Sequence, residues 1–312
     1  MLMDTLKKLL SVYGPTGQES AVAQAIQAML AGHADSMRTD VMGNLIVEKK
    51  GQPGGKALMF SAHMDHIGLV VTAIEDTGYL RVTSVGGVSL DMSKTRHVVF
   101  GNGVEGVVAL HPTKGETPTL DHLFVDIGAA DRAEAETMVA PGDVCVYAPD
   151  FFQLGQHRVA SPAMDDRCAC ALLCELVLAL ENPRNTVIAV FSTQEEVGLR
   201  GAATAAFQVA PDWGVGLDVT AWGDTPETKL PAVKLGEGIC VKIMDRGSIS
   251  NPELVRELLF AGEKAGVPSS PVLKGVPLPL QPAHLPCDIP KGQNCHARRL
   301  NDTAWNARPV GH

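Results

Sequence analysis

The amino-acid sequence predicts an α/β fold that is interrupted by an inserted all-β domain. Three observations lead to this prediction. Apolar runs typical of buried strands alternate with helical stretches near the start of the chain and again after residue 157. Between them, from 68 to 156, the sequence consists of short runs rich in β-branched residues, separated by Gly, Pro and Asp. Finally, 312 residues, 45% of them hydrophobic, suffice for one large or two modest domains.

The first predicted elements are a helix and a strand. Residues 19–32 place Val22, Ile26 and Leu30 on one helical face, and the stretch KALMFSAHMD is typical of a short buried strand. The inserted region then carries six strand-like runs, which are GLVVTAI, YLRVTSV, HVVFG, GVEGVVAL, FVDIGA and DVCVYA.

The α/β alternation returns after the insertion. The predicted elements are a helix near 166–181, the strand TVIAVFST, a helix near 200–207, the strands VGLDV and ICVKIM, and a helix near 252–265. The last helix has Ser250 or Asn251 as its N-cap and Pro252 in its first turn. Residues 268–312 hold eight of the twenty prolines without any periodicity, so we expect little regular structure there. The predicted units are a discontinuous α/β domain (1–67 and 157–267), the β insertion (68–156) and a Pro-rich tail (268–312).

Composition argues against several classes of partner. A net charge of −9 without a run of Lys or Arg argues against nucleic acid and anionic membranes. The most apolar helical stretch, ALLCELVLAL, is well short of the roughly 20 residues that span a membrane. The N-terminal stretch lacks a secretory core. Seven cysteines without a CxxC pair fit small buried side chains in a reducing compartment better than metal ligands. We therefore expect a cytoplasmic protein.

Four motifs rich in Asp, Glu and His occur where apolar strands end: SAHMDHIG, SPAMDDRC, STQEEVGLRGA and GLDVTAWGDTP. In open α/β sheets, ligands bind beyond the carboxyl ends of the strands, so the motifs are expected to converge. Each motif alone has an ordinary explanation, such as a strand-end Glu that leaves the core or an Asp that caps a helix. Together they favour a site for two cations, in which one carboxylate bridges both for hydrolysis.

The motifs suggest individual roles. His63 and Asp65 form a His-x-Asp pair, in which a carboxylate can orient a metal-binding imidazole. His66 should point away from His63 in an extended segment, and we expect it at the surface or behind the site. Asp165 is interpreted as the bridging carboxylate, and Asp166 as a helix cap or a supporting residue.

Two adjacent glutamates, Glu195 and Glu196, follow the strand TVIAVFST. They fit a division of labour between a metal ligand and a general base that takes a proton from bound water. Asp218, after a later strand, would supply another oxygen ligand, although on its own it would suit an ordinary turn.

In order and in flanking residues, the four motifs resemble the glutamyl aminopeptidase or tetrahedral aminopeptidase family of dinuclear metallopeptidases, whose members are often mislabelled endoglucanase or cellulase. The likeness runs from GPTGQES and DVMGNLIVEKKG through MDRGSISNPELV, roughly residues 10–268. It implies a zinc-peptidase-like mixed sheet flanked by helices, with an inserted β domain that mediates self-association, from a dimer to a dodecamer. It also implies two divalent metal ions per subunit, zinc or cobalt.

The resemblance further implies a role for each matching residue. The metal ligands would be His63, Asp165, Glu196 and Asp218. Asp165 would bridge the two ions, Glu195 would be the general base, and Asp65 would orient His63. The implied reaction is the removal of N-terminal residues from peptides by a metal-bound hydroxide.

The C-terminal segment departs from the family pattern. The family continues with a Gly-Gly-Thr-Asp segment and, near its end, a His in a Tyr-x-His-Ser-Pro context that completes the shell of the second metal. Here VLKGVPLPLQPAHLP stands instead. The three histidines of the C-terminal segment, His284, His296 and His312, lack that context, so none of them is assigned as a ligand. Loss of one base would turn codons for Gly-Gly-Thr into those for Gly275-Val276-Pro277, and we interpret the segment as frameshifted.

Other functions fit parts of this pattern. A deacylase or carboxypeptidase could use the same metal scaffold, and a catalytically impaired or non-enzymatic homologue would follow from the missing last ligand. A glycosidase is the least favoured, because its paired carboxylates stand about 5 to 9.5 Å apart across a sugar without a metal. The aromatic content of 4% is also low for stacking sugars.

Overall fold

The computed structural model describes residues 2–111, 115, 117–220, 226, 233–244, 248–273, 276–277 and 294–295. Its helices are α1 (Leu2–Leu10), α2 (Ser20–Leu30), α3 (Leu90–Ser93), α4 (Arg132–Met138), α5 (Met164–Ala179), α6 (Arg200–Val209) and α7 (Pro252–Lys264). Its strands are β1 (Ser36–Thr39), β2 (Leu45–Lys49), β3 (Ala57–His63), β4 (Gly68–Ile74), β5 (Leu80–Val85), β6 (His97–Phe100), β7 (Glu105–Leu110), β8 (Leu123–Asp126), β9 (Val144–Tyr147), β10 (Phe152–Leu154), β11 (Arg158–Ala160), β12 (Thr186–Ser192), β13 (Trp213–Gly216), β14 (Ile239–Met244), β15 (Ser269–Leu273), β16 (Val276–Pro277) and β17 (Asn294–Cys295).

The main sheet is mixed, with the strand order β1-β2-β12-β3-β13-β17. Strand β3 lies between β12 and β13 and is parallel to both, whereas β1 and β2 run antiparallel to their neighbours. In the β12–β3 register, Ser192 stands opposite His63. The segments that follow β3, β12 and β13 therefore leave the sheet at the same edge.

Strand β12 packs against helices on both faces of this sheet. Ala189 and Phe191 are buried in a cluster with apolar residues of α1, α2 and α5. Ile188 and Val190, which point the other way because side chains alternate along a strand, pack with residues of α6. A strand covered on both faces must be apolar throughout, which explains the continuous run TVIAVF.

The inserted region forms a closed barrel with the strand order β4-β5-β8-β7-β6-β9. Its interior is a separate apolar cluster that includes Leu69, Leu80, Val108, Leu123 and Val125. Helix α4, which the sequence reasoning did not predict, lies in the same region and is capped by Asp131, whose side chain accepts a hydrogen bond from the amide of Glu134. The predicted fold class, a mixed sheet flanked by helices and interrupted by an all-β unit, is confirmed.

The prediction of little regular structure in residues 268–312 is partly wrong. Strand β15 lies inside it and pairs in parallel with β14, and Val272 of β15 is fully buried. This pairing is non-local, so the Pro-rich sequence around β15 gave no periodic signal for it. Apart from 276–277 and 294–295, the chain beyond residue 273 lies outside the described residues, as do Gly275, His284, His296 and His312, and the frameshift stays a hypothesis.

Within the described ranges, every helix is too short or too polar to cross a lipid bilayer.

Candidate metal centre

The sequence-predicted acidic residues meet around the imidazole of His63, the last residue of β3. Its Nε2 atom lies 3.0 Å from Oδ1 of Asp165, 3.9 Å from Oε2 of Glu195 and 3.9 Å from Oδ1 of Asp218. At most 11% of any of these four side chains is exposed. The segments after the parallel strands β3, β12 and β13 bring His63, Glu195 and Asp218 together, and the start of α5 adds Asp165.

Two overlapping groups of possible ligand atoms occur here among the described residues. His63, Glu195 and Glu196 form one, and His63, Asp166 and Asp218 form the other, with the atoms of each group within 4.8 Å of one another. The structure therefore brings together every residue that the sequence reasoning proposed as a ligand or base. It also adds the carboxylate of Asp166, to which that reasoning gave only a capping or supporting role.

Asp165 and Asp166 precede the regular part of α5. Neither has helical backbone angles, and Ala163 before them is in the left-handed region with φ of +60°. The Oδ2 atom of Asp166 accepts a hydrogen bond of 3.3 Å from the amide of His63. Asp166 therefore supports the end of β3, and its bonding partner is a strand amide and not an amide of α5.

The carboxylate of Asp65 is directed mainly at the backbone of the two glutamates. It accepts hydrogen bonds from the amides of Glu195 (3.0 Å) and Glu196 (3.2 Å), and from the hydroxyl of Thr16 (2.8 Å). The closest partner of His63 Nδ1 is the backbone carbonyl oxygen of Asp65 at 2.9 Å, while the carboxylate lies at 3.5 Å. Asp65 thus orients the imidazole chiefly through its main chain, and Thr16 is a site residue that the sequence reasoning missed.

Burial and neighbouring charges strongly shift the pKa values of the ionisable groups in this cluster. Burial, and then the charge of Asp165, raise the pKa of Asp218 well above its usual value. Burial also raises the pKa of Asp166 against the opposing charge of His63. For His63 itself burial lowers the pKa, but the nearby carboxylates of Asp165 and Asp65 outweigh burial and raise it. Crowded buried carboxylates around one imidazole are the arrangement that a divalent cation would stabilise, and their nitrogen and oxygen donors suit zinc.

His66 is buried, which excludes the first of its two predicted positions, at the surface, and leaves the second, behind the site. Its Nδ1 atom lies 3.0 Å from the carbonyl oxygen of Ile67. Burial, together with the charge of Arg167, lowers the pKa of His66 to about 3, so the ring is neutral at neutral pH.

Arg167 is a fully buried cation behind the site. Its guanidinium donates hydrogen bonds to four main-chain carbonyl oxygens, those of Met64 (2.7 Å), Leu9 (2.6 Å), Val12 (3.1 Å) and Gly14 (3.3 Å). Burial lowers the pKa of Arg167 to about 10, and the group stays charged at neutral pH. It therefore ties the end of α1 and the chain after it to Met64, which lies between His63 and Asp65.

The family model of M42 glutamyl aminopeptidase matches residues 43–275. The chain belongs to this family. The match covers all four motifs together with the barrel, and it confirms the resemblance found in the sequence. An M42 aminopeptidase is a hydrolase, and M42 peptidases depend on metal ions.

Similar proteins agree with this membership. The lysyl aminopeptidase of Pyrococcus furiosus is 33% identical over 96% of this chain and 85% of its own. The structure of an aminopeptidase from the archaeon Desulfurococcus kamchatkensis has a TM-score of 0.84 at 35% identity, covering 88% of this chain and 80% of that one. The Pyrococcus horikoshii TET1 peptidase, which can assemble into a tetrahedron or a large octahedral shell, has a TM-score of 0.79 at 32% identity, covering 88% and 84%.

Proposed function

We propose that this M42 protein is a metal-dependent aminopeptidase that removes N-terminal residues from peptides. Its metal ligands would be His63, Asp165, Glu196 and Asp218, and they would hold two divalent ions, zinc or cobalt. The observation that carries the proposal is the convergence of buried carboxylates on Nε2 of His63 at the carboxyl edge of the sheet.

The residues present fit such ions. One imidazole nitrogen and several carboxylate oxygens form the donor set, and burial, followed by the negative charge of Asp165, raises the pKa of Asp218. Divalent cations bound there would acidify a water molecule and polarise the scissile carbonyl group. Asp165, whose carboxylate lies nearest to the imidazole of His63, is the candidate to bridge the two ions.

Glu195 is the candidate general base. Its carboxylate faces the imidazole of His63 at 3.9 Å, and the bond between its own amide and Asp65 fixes its backbone. From this position Glu195 would accept a proton from the attacking water and return it to the departing amine. Glu196, one residue further, would hold a metal ion.

The family membership supports an aminopeptidase over a carboxypeptidase, because the matching family model is that of M42 glutamyl aminopeptidase. The family membership likewise disfavours a non-enzymatic homologue.

Self-association and a cytoplasmic location belong to the same proposal. The similar TET1 peptidase forms large shells, and we infer that this chain also associates with copies of itself, through the barrel domain 68–156. Five cysteines carry free thiols, which supports a reducing compartment, and these are Cys145, Cys168, Cys170, Cys174 and Cys240.

The decisive experiment measures release of free amino acids from short peptides after zinc or cobalt is added. We expect release from peptides with a free N-terminus and none from the N-acetylated forms of the same peptides. Removal of the acetyl group from the N-acetylated forms would favour the deacylase instead, and release of C-terminal residues from both forms would favour the carboxypeptidase. Stable binding of metal without any turnover would favour the non-enzymatic homologue.

A further inference from the structure

The backbone that carries Glu195 and Glu196 is held by side-chain oxygens at four consecutive amides. The bonds run from Thr193 N to Asn44 Oδ1 (3.0 Å), from Gln194 N to Glu19 Oε1 (3.0 Å), from Glu195 N to Asp65 Oδ1 (3.0 Å) and from Glu196 N to Asp65 Oδ2 (3.2 Å). Such a loop would ordinarily leave these amides to water or to other backbone groups. Here three residues from distant parts of the chain accept all four bonds.

Gln194 is the point at which the chain turns out of β12. Its φ of +54° lies in the left-handed region, which residues with a side chain rarely adopt. Such a conformation persists only where the surroundings determine it strongly. The bond from the amide of Gln194 to Glu19 is one of the contacts that do so, and it lies immediately before the two glutamates.

Glu19 occupies an unusual place for a carboxylate. It stands at the N-cap position of α2, yet its side chain makes no capping bond to that helix. Its Oε1 atom instead accepts from the amides of Gly17 (2.8 Å) and Gln194 (3.0 Å). Only 5% of the residue is exposed, and burying an ionisable group is costly unless its bonds compensate. A helix cap could stay at the surface, so capping does not account for this burial.

We propose that Glu19 is a positioning residue, which fixes the direction in which Glu195 and Glu196 leave β12 by holding the amide of Gln194. For the roles of Glu195 and Glu196, the inference rests on the proposed function. Asn44 takes part in the same way one residue earlier, because its fully buried amide oxygen accepts from Thr193. Together with Asp65 these residues act on the site through the backbone and need not touch substrate.

Two substitutions of Glu19 separate the effect of side-chain length from the effect of charge. Glu19→Gln keeps the length of the side chain and an acceptor oxygen but removes the charge. Glu19→Asp keeps the charge but shortens the side chain by one methylene, so the carboxylate withdraws from Gln194. The matched control is Asp212→Ala, since Asp212 accepts a 2.8 Å bond from the amide of Ala57 at the opposite end of β3.

The measurements on the full chain are amide hydrogen exchange by NMR and titration with cobalt ions. We expect slow exchange at Gln194 in the wild type, faster exchange in Glu19→Asp, and nearly unchanged exchange in Glu19→Gln. Cobalt affinity should fall by about 10- to 100-fold in Glu19→Asp, the usual effect of losing a residue that orients ligands. With peptide substrates, kcat should fall in that variant while KM changes little. Asp212→Ala should speed exchange at Ala57 alone.

Three results would overturn the proposal: fast exchange at Gln194 in the wild type, wild-type exchange and cobalt affinity in Glu19→Asp, or an equal loss of affinity in Asp212→Ala. The wild-type exchange rate decides the matter even if Glu19→Asp fails to fold. A wild type that binds no cobalt and cleaves no peptide would refute the proposed function. The exchange rates at Gln194 would then still support or refute the role of Glu19.

Discussion

The Nε2 atom of His63 lies 3.0 Å from the Oδ1 atom of Asp165, although 102 residues separate the two in the chain. The contact forms because β3 ends at His63 and the non-helical turn before α5 brings Asp165 to the same edge of the sheet. Asp166, the next residue, instead accepts a bond from the amide of His63. Adjacent aspartates thus face the same histidine in different ways, which makes their substitutions a sharp comparison.

Asp165→Asn should abolish tight binding of both metal ions and peptide cleavage, because a bridging carboxylate cannot be replaced by a neutral amide. Asp166→Asn keeps an oxygen that can accept from the amide of His63, so it should lower metal content less. Metal analysis of the purified variants, together with the rate of peptide cleavage, checks both. Full metal content in Asp165→Asn, or a greater loss in Asp166→Asn, would move the bridge to Asp166.

Glu195→Gln should keep the metal ions but slow peptide cleavage by about a hundredfold or more, in line with the roughly 10²- to 10⁴-fold effect of a general base. The amide can still occupy the same space but cannot accept the proton. The same substitution at the exposed Glu181 is the control and should leave kcat unchanged. Nearly normal turnover in Glu195→Gln would assign the proton transfer to another residue.

The sequence predicted the parts of the site that have local patterns. Apolar runs identified β3 and β12, and the rule that ligands bind beyond strand ends brought their motifs together. It did not predict Thr16, Glu19, Asn44 or Arg167, because each acts through hydrogen bonds to segments far away in the chain. A single Glu before a helix is typical of a cap, and only the tertiary structure turns Glu19 towards Gln194.

Arg167→Lys should lower the free energy of unfolding by about 2 to 5 kcal/mol, since an ammonium group cannot bond the four carbonyl oxygens and leaves buried acceptors unpaired. Urea denaturation measures this change. Arg184→Lys, the same substitution at an exposed position, should have little effect. Equal stability of wild type and Arg167→Lys would mean that water replaces the lost bonds.

Glu19→Gln should change how stability depends on pH. Burial raises the pKa of Glu19, so the folded protein holds this proton more tightly than the unfolded chain does. The contribution of Glu19 to the free energy of unfolding therefore falls as pH rises from the ordinary pKa of Glu, about 4.3, through the raised value. Glutamine does not titrate, so this loss of stability is absent from the variant, which should become more stable relative to the wild type as pH rises from acidic to neutral. Urea denaturation of both proteins at an acidic and at a neutral pH tests this. A difference in free energy of unfolding that does not change with pH would contradict it.

Self-association through the barrel can be tested at two exposed apolar residues. Val107 on β7 is 48% exposed, whereas its neighbour Val108 is buried inside the barrel, so a substitution at Val107 changes the outer surface. Lysine is suitable there because Asp126 stands opposite in the β7–β8 register and opposite charges across strands attract. The control is Phe207 on α6 of the α/β domain, which is 89% exposed.

Light scattering should give the wild type a mass that is a multiple of the 33.0 kDa chain. Val107→Lys should lower that mass, because a subunit contact over this face would have to bury a longer and more polar side chain in place of valine. Phe207→Lys should leave the mass unchanged, since Phe207 lies outside the barrel. The opposite pattern, with a smaller particle only for Phe207→Lys, would transfer the assembly surface to α6, and a wild type of 33.0 kDa would exclude stable self-association altogether.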